Sequence, residues 1–213
     1  MGNGWRTVVK EAMREAAVAE ATEDDRRAEP PFNYRWEHVK AVVALARRLA
    51  GLVGADEEVV EAAAWLHDVA KRQGFSHAKA GAARARKLLA KTDFPPEKIE
   101  PVAQAITDHI GLWREEPLTN LESMVLWDAD KLTKIGLTAA FHWTGMFMVG
   151  DEPVTTKELI ARGRSAGWQD KAVASLHTEP ARVAARARAQ AYRRFWGDLA
   201  LELDGSDILS SVD

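Results

Sequence analysis

Apolar residues recur at intervals of three to four along most of the chain, and few stretches alternate with period two. Trp5, Val8, Val9, Ala12, Met13 and Ala16 share one helical face, as do Val39, Val42, Val43 and Ala46 further on. Such spacing predicts amphipathic helices. With Ala, Leu, Glu, Arg and Lys dominant, the expected class is all-α. The helices are expected from about Gly4 to Ala21, Tyr34 to Leu52, Glu57 to Lys71, His77 to Lys91, Pro95 to His109, Thr119 to Leu132 and Gly136 to Val149. A long segment from Thr155 or Thr156 toward His177 follows, then a last helix from Pro180 through Leu203. Asp56, Ser76 and Thr119 stand where N-caps belong, and Thr119 has Glu122 three residues on in a capping-box pattern. Gly51 with Gly54, and later Gly74, stand where helices stop. The charged stretch Thr22 to Pro31 reads as a loop, and Asp204 to Asp213 as a frayed tail.

A chain of 213 residues fits a single domain over 1–213. No apolar run is long enough to span a bilayer and no signal-peptide pattern opens the chain, so the expected location is cytoplasmic. The absence of cysteine removes disulfides, thiolate metal sites and a cysteine nucleophile together. Any metal must sit on His, Asp, Glu or water. A net charge of -3 gives no general push toward nucleic acid. The arginines of the last helix (Arg182, Arg186, Arg193 and Arg194) read as a solvated or dimer-facing surface, which leaves a homo-oligomer open.

Chemistry enters at AAAWLHDVAK, residues 62–71. His67 and Asp68 interrupt an apolar run, and a polar doublet buried there is costly unless it is paired or binds metal. Spacing alone leaves both readings open: a metal site, or a surface Asp68–Lys71 pair beside a core histidine. His38 shares an apolar helical face. Asp128 and Asp130 sit in an apolar run that invites a metal, a buried cation or a shared proton. His77 and His109 stand at helix ends, and His142 and His177 read as structural.

Taken in order, His38, His67-Asp68 and Asp130 resemble the H…HD…D signature of the HD-domain phosphohydrolase superfamily. The flanking stretches EHVKAV (37–42), AAWLHDVAK (63–71), SHAKAGA (76–82), KIEPVAQAITDHI (98–110) and LESMVLWDADKL (121–132) look like its small stand-alone branch. The resemblance spans about Tyr34 to Gly136, and the terminal helices carry no motif and count as extra packing. It implies a helical bundle around a divalent metal, with His38, His67, Asp68 and Asp130 as ligands. It also implies Asp128 as a residue behind the ligands that orients a histidine. Lys71 is implied as a phosphate contact, and His77 and His109 as facing the phosphate or holding a second metal. Asp68 would also orient or deprotonate water. The chain departs from many small relatives in carrying Thr133 where they continue the last aspartate motif with an acid.

The implied activity is a metal-dependent phosphohydrolase, with water attacking the phosphorus of a nucleotide or similar small phosphate ester. A mixed imidazole–carboxylate set suits Mn²⁺, Fe²⁺, Co²⁺ or Ni²⁺ better than Mg²⁺. One metal is expected, and His77 with His109 leave a second open. Two other classes stay in view: a metal-retaining nucleotide-binding regulatory protein without turnover, and a di-iron HD-fold oxygenase. The segment Phe141 to Val149 reads as core or a lid. Trp65, about 200° of helical turn before His67, reads as a core anchor on the far side.

Overall fold

The computed structural model describes residues 4–25, 32–148, 154–165 and 167–208. Their regular secondary structure is helical, with no strand among them. The elements are α1 (Trp5–Asp25), α2 (Tyr34–Val53), α3 (Glu57–Leu66), α4 (His77–Leu89), α5 (Ile99–Asp108), α6 (Leu121–Thr133), α7 (Leu137–Met148), α8 (Thr156–Arg164), α9 (Trp168–Ala174) and α10 (Glu179–Asp204). Among the described residues no helix is long and apolar enough to cross a membrane.

α2, α3, α5 and α6 pack around one another, and α4 lies along α5. Val39, Val42 and Val43 of α2 meet Val60, Ala63 and Ala64 of α3, Val102 and Ile106 of α5, and Val125 and Leu126 of α6 in one buried cluster. Trp65 belongs to this core, its ring 5.8 Å from that of Trp36. A smaller cluster, Ala139, Ala140, Ile160, Tyr192 and Trp196, joins α7 and α8 to α10.

Helix ends follow local chemistry. The side chain of Asp56 accepts from Glu58 N and Val59 N, and Gly54 closes α2 at φ +73°, in the left-handed region glycine tolerates best. Several boundaries differ from the sequence expectation. α1 continues past Ala21 to Asp25, and the rest of the expected loop, 26–31, lies outside the described residues. α6 is capped by Asn120, which accepts from Ser123 N, and not by Thr119. Glu122 instead accepts from Asp56 N at 3.3 Å, tying α6 to the start of α3. Ser76 caps nothing with its side chain and donates to Gln73 O. The segment from Thr156 holds two helices, Thr156–Arg164 and Trp168–Ala174, and Thr155 with Glu158 forms a complete capping box. Gly145 lies directly against the Phe32 ring, so it serves close packing of α7. Val149 and Gly150 lie outside the described residues.

The largest difference is at α3, which stops at Leu66 and not Lys71. Beyond it the chain tightens into three-residue turns, Val69 N to Leu66 O, Lys71 N to Asp68 O and Gln73 N to Ala70 O, leading into a 3₁₀ segment, Lys71–Ser76. His67 and Asp68 therefore sit in a turn at the helix end, where adjacent side chains can converge as they cannot on a straight helix.

Candidate metal centre

Three histidines occupy equivalent local positions. His67 and His109 stand at the C-terminal ends of α3 and α5, and His77 ends the 3₁₀ segment. Each turns Nδ1 back to the carbonyl three residues earlier: Ala64 O at 2.8 Å, Ile106 O at 2.5 Å and Gly74 O at 2.6 Å. Helix ends leave carbonyls such as Ala64 O and Ile106 O short of backbone partners, so there the imidazole satisfies the backbone as it is positioned, while Gly74 O also accepts from His77 N. A carbonyl only accepts, so Nδ1 carries the proton and Nε2 of the neutral ring keeps its lone pair. His38, inside α2, reaches the same state differently. Thr133 Oγ1 donates to Asp130 O at 2.7 Å and therefore accepts from His38 Nδ1 at 3.0 Å.

All four Nε2 atoms point inward. His38 and His67 face each other at 3.3 Å, as do His77 and His109. Asp68 lies between the pairs. Its Oδ2 is 3.7 Å from His38 Nε2 and 3.5 Å from His67 Nε2, and its Oδ1 is 3.6 Å from both His77 Nε2 and His109 Nε2. Two donor sets of metal-binding dimensions result, His38–His67–Asp68 and Asp68–His77–His109, all buried and sharing one carboxylate. Gly81 permits this closeness: a Cβ there would stand 3.3 Å from Ile106 Cγ2 and 3.4 Å from His67 O.

The donor chemistry fits a cation. Opposed imidazole lone pairs at 3.3 Å repel unless something positive lies between them. Asp68 Oδ1 is buried without a hydrogen bond, its nearest cation being Lys71 Nζ at 3.2 Å. A buried carboxylate oxygen in that state is costly unless it coordinates.

Charge around the centre is balanced by buried cations. Asp130 Oδ1 is 3.2 Å from His38 Nε2 and 2.6 Å from Lys134 Nζ, while Oδ2 pairs with Lys131. Lys131 Nζ also donates to His109 O at 3.0 Å and lies 4.1 Å from the Trp127 ring centre. Burial pushes Lys131 down to about 8, against the pull of Asp130. Burial lowers His38 to about 4 and His67 to about 3, which keeps both rings neutral near pH 7. Burial alone would raise Asp68 and Asp130, but the Arg35 charge, with Lys71, outweighs it at Asp68, and Lys131 and Lys134 at Asp130, so both stay well below the usual carboxylate range.

The structure thus brings His38, His67, Asp68, His77, His109, Lys71 and Asp130 to one place. Lys71 Nζ is 3.3 Å from His77 Nε2. Asp128 is not there. It accepts from His177 N at 2.9 Å and from Thr178 N and Thr178 Oγ1 at 2.7 Å each, holding the start of α10. The histidine it orients is His177, outside the cluster, so the expected place behind the ligands is corrected. Thr133, behind His38, holds that position. Sequence reading also passed over Tyr34, stacked on His38 with centroids 5.9 Å apart, and Arg35, ion-paired with Asp68. Tyr34 and Arg35 precede His38 by four and three residues on α2, a helical spacing that marks neighbours of His38.

Beside the cluster a cavity of about 630 Å³ opens between α1, the 3₁₀ segment and α4. Asp68 lies in its wall, Ala16, Ala19 and Ala80 keep it open, and Lys71, Arg72 and Arg84 make it basic. Arg86 does not contribute: it is spent on an exposed pair with Glu100.

An HD-domain family model matches residues 35–135, which hold every histidine and aspartate of the cluster. Over these residues, just under half of its length, the chain carries an HD domain. No curated protein matches the chain in sequence. Solved structures share the fold over nearly its whole length. A predicted HD-superfamily hydrolase from an uncultured Thermotogales bacterium is 24% identical, with TM-score 0.63, covering 92% of this chain and 91% of its own. Bacillus subtilis YpgQ in complex with ADP is 21% identical, with TM-score 0.62, covering 96% and 100%. An HD-superfamily hydrolase from Bacillus thuringiensis is 19% identical, with TM-score 0.61, covering 92% and 98%.

Proposed function

We propose that the protein is a metal-dependent phosphohydrolase acting on a small phosphate ester, a nucleotide in particular. The observation that carries this reading is the convergence of four Nε2 atoms on the two oxygens of one buried aspartate. In this reading His38, His67, Asp68 and Asp130 hold one divalent cation, and Asp68, His77 and His109 offer a second position. Mn²⁺, Fe²⁺, Co²⁺ and Ni²⁺ suit these donors. A divalent cation supplies Lewis acidity at a phosphoryl oxygen and lowers the pKa of water.

The chain's own residues do the rest. In this reading Asp68, facing both donor sets, orients the attacking water. Lys71, half-exposed beside Asp68 and His77, is placed to neutralise phosphate charge. Four cations (Arg35, Lys71, Lys131, Lys134) against three carboxylates (Glu20, Asp68, Asp130) leave the centre positive before any metal is added, which favours an anionic substrate. The basic cavity has room for a second phosphate or a nucleoside. The ADP in the related YpgQ structure supports a nucleotide.

The test is release of phosphate or pyrophosphate from a nucleotide panel by Mn²⁺-loaded protein. Activity in the parent, absent in His67→Ala and Asp68→Ala, is expected. Failure across the panel, with nucleotide still bound tightly, would transfer the site to a regulatory role.

A further inference from the structure

α1 lies outside the matched domain, yet Glu20 reaches the centre from it. Its carboxylate accepts from Arg35 Nε at 2.9 Å and from Arg35 Nη2 at 3.0 Å, the two-bond fork of an arginine–carboxylate pair. Arg35 Nη1 turns the other way and donates to Asp68 Oδ2. Asn33 locks the register: its Nδ2 donates to Ala17 O at 3.1 Å, while its Oδ1 caps α2 at Trp36 N. The Arg35 side chain is only 11% exposed, and its charge is already shared between two carboxylates, so it is committed to Asp68 and not free for phosphate.

This contact decides which way the Asp68 carboxylate faces. With Oδ2 held on the side of Arg35, His38 and His67, Oδ1 is left for His77 and His109. A free carboxylate has a softer choice. Lys71 Nζ already stands 3.2 Å from Oδ1 and would draw it round.

We propose that Glu20 and Arg35 are a positioning pair: the guanidinium, clamped by Glu20, sets the rotation of Asp68 so that one carboxylate oxygen serves each histidine pair. The proposal rests on the metal-centre reading above. It makes α1 part of the centre and corrects the expectation that this helix is packing alone. Charge by itself predicts the opposite sign, because removing a cation beside a cation site tightens metal binding.

Calorimetric titration of metal-stripped protein with Mn²⁺ separates the two. Arg35→Ala is expected to weaken Mn²⁺ binding about tenfold or more, the usual scale for losing a ligand's support. Arg35→Lys keeps the charge but lacks the planar fork, and is expected not to restore it. Glu20→Gln is expected to lose less, and Glu20→Gln with Arg35→Ala to bind no worse than Arg35→Ala alone, because Glu20 acts through Arg35. Far-UV dichroism and metal-free melting check that each variant folds. Unchanged or tighter binding in Arg35→Ala, full rescue by Arg35→Lys, or additive losses in the double variant would each overturn the proposal. Should Arg35→Ala not fold, parent-like affinity in both Arg35→Lys and Glu20→Gln overturns it equally. A parent that binds no Mn²⁺ overturns the metal-centre reading and the pair with it, whereas normal parent binding with indifferent variants overturns the pair alone.

Discussion

Acidifying the metal-free protein from pH 7 to pH 5 should unfold it far more readily than its carboxylates alone would allow. Burial holds His38 at about 4 and His67 at about 3, whereas an unfolded histidine titrates near 6.5. Each group's folded value is depressed, so stability is full above about pH 6.5 and falls as pH drops toward the folded value. At pH 5 the unfolded chain has taken up a proton at each site and the folded chain has not. The cost is about 2 kcal/mol per histidine, or about 4 kcal/mol for the pair, a large share of the 5–15 kcal/mol that usually stabilises a protein. Asp68 and Asp130, held well below the carboxylate range, stay ionised in both states down to about pH 5 and add nothing in this window. Urea unfolding of chelator-treated protein at pH 7, 6 and 5 measures the loss, with His38→Gln expected to remove about half of it. A midpoint that does not move between pH 7 and pH 5, or His38→Gln and His67→Gln variants that keep the full dependence, would refute the reasoning.

Thr133→Val should leave the fold intact but weaken Mn²⁺ binding about tenfold, since it releases the His38 Nδ1 that Thr133 Oγ1 holds at 3.0 Å; titration calorimetry checks it. Asp128→Ala should do the reverse, costing about 2–4 kcal/mol in urea unfolding by orphaning His177 N and the Thr178 groups, with Mn²⁺ affinity unchanged. Gly81→Val should cost about 1–3 kcal/mol and lower metal affinity, because its Cβ already meets Ile106 and the extra methyls push α4, with His77, off His109. Saturating Mn²⁺ at a hundredfold excess over its dissociation constant should stabilise the parent by about 2.7 kcal/mol, read as a rise in melting temperature that Asp68→Ala loses.

The helical class was legible because apolar spacing writes the buried face of each helix directly. The end of α3 was not. Val69 and Ala70 continue the apolar pattern, and both are buried, but they are buried by a tightened turn. What ends the helix is His67 taking Ala64 O, a choice visible only with the other histidines in place. Asp128 and Asp130 show the same division. On one helix they point about 200° apart. His38, Lys131 and Lys134 claim Asp130 and the start of α10 claims Asp128, and α10 lies fifty residues further along the chain. The resemblance chose Asp130 where spacing left both open. Glu20 and Arg35 were passed over because a charged residue on a helix is ordinarily solvated, and their partner Asp68 is remote in sequence. Thr133 looked like a missing acid, and its hydroxyl turns out to hold His38 from behind.

A crystal grown with Mn²⁺ and measured at the manganese absorption edge tests the central claim most directly. The account predicts anomalous density within coordination distance of Asp68 Oδ2 and the Nε2 atoms of His38 and His67, with the set formed by Asp68 Oδ1, His77 and His109 as the second position. Well-ordered protein at saturating Mn²⁺ with no peak against Asp68, or with manganese bound only at surface carboxylates, would contradict it.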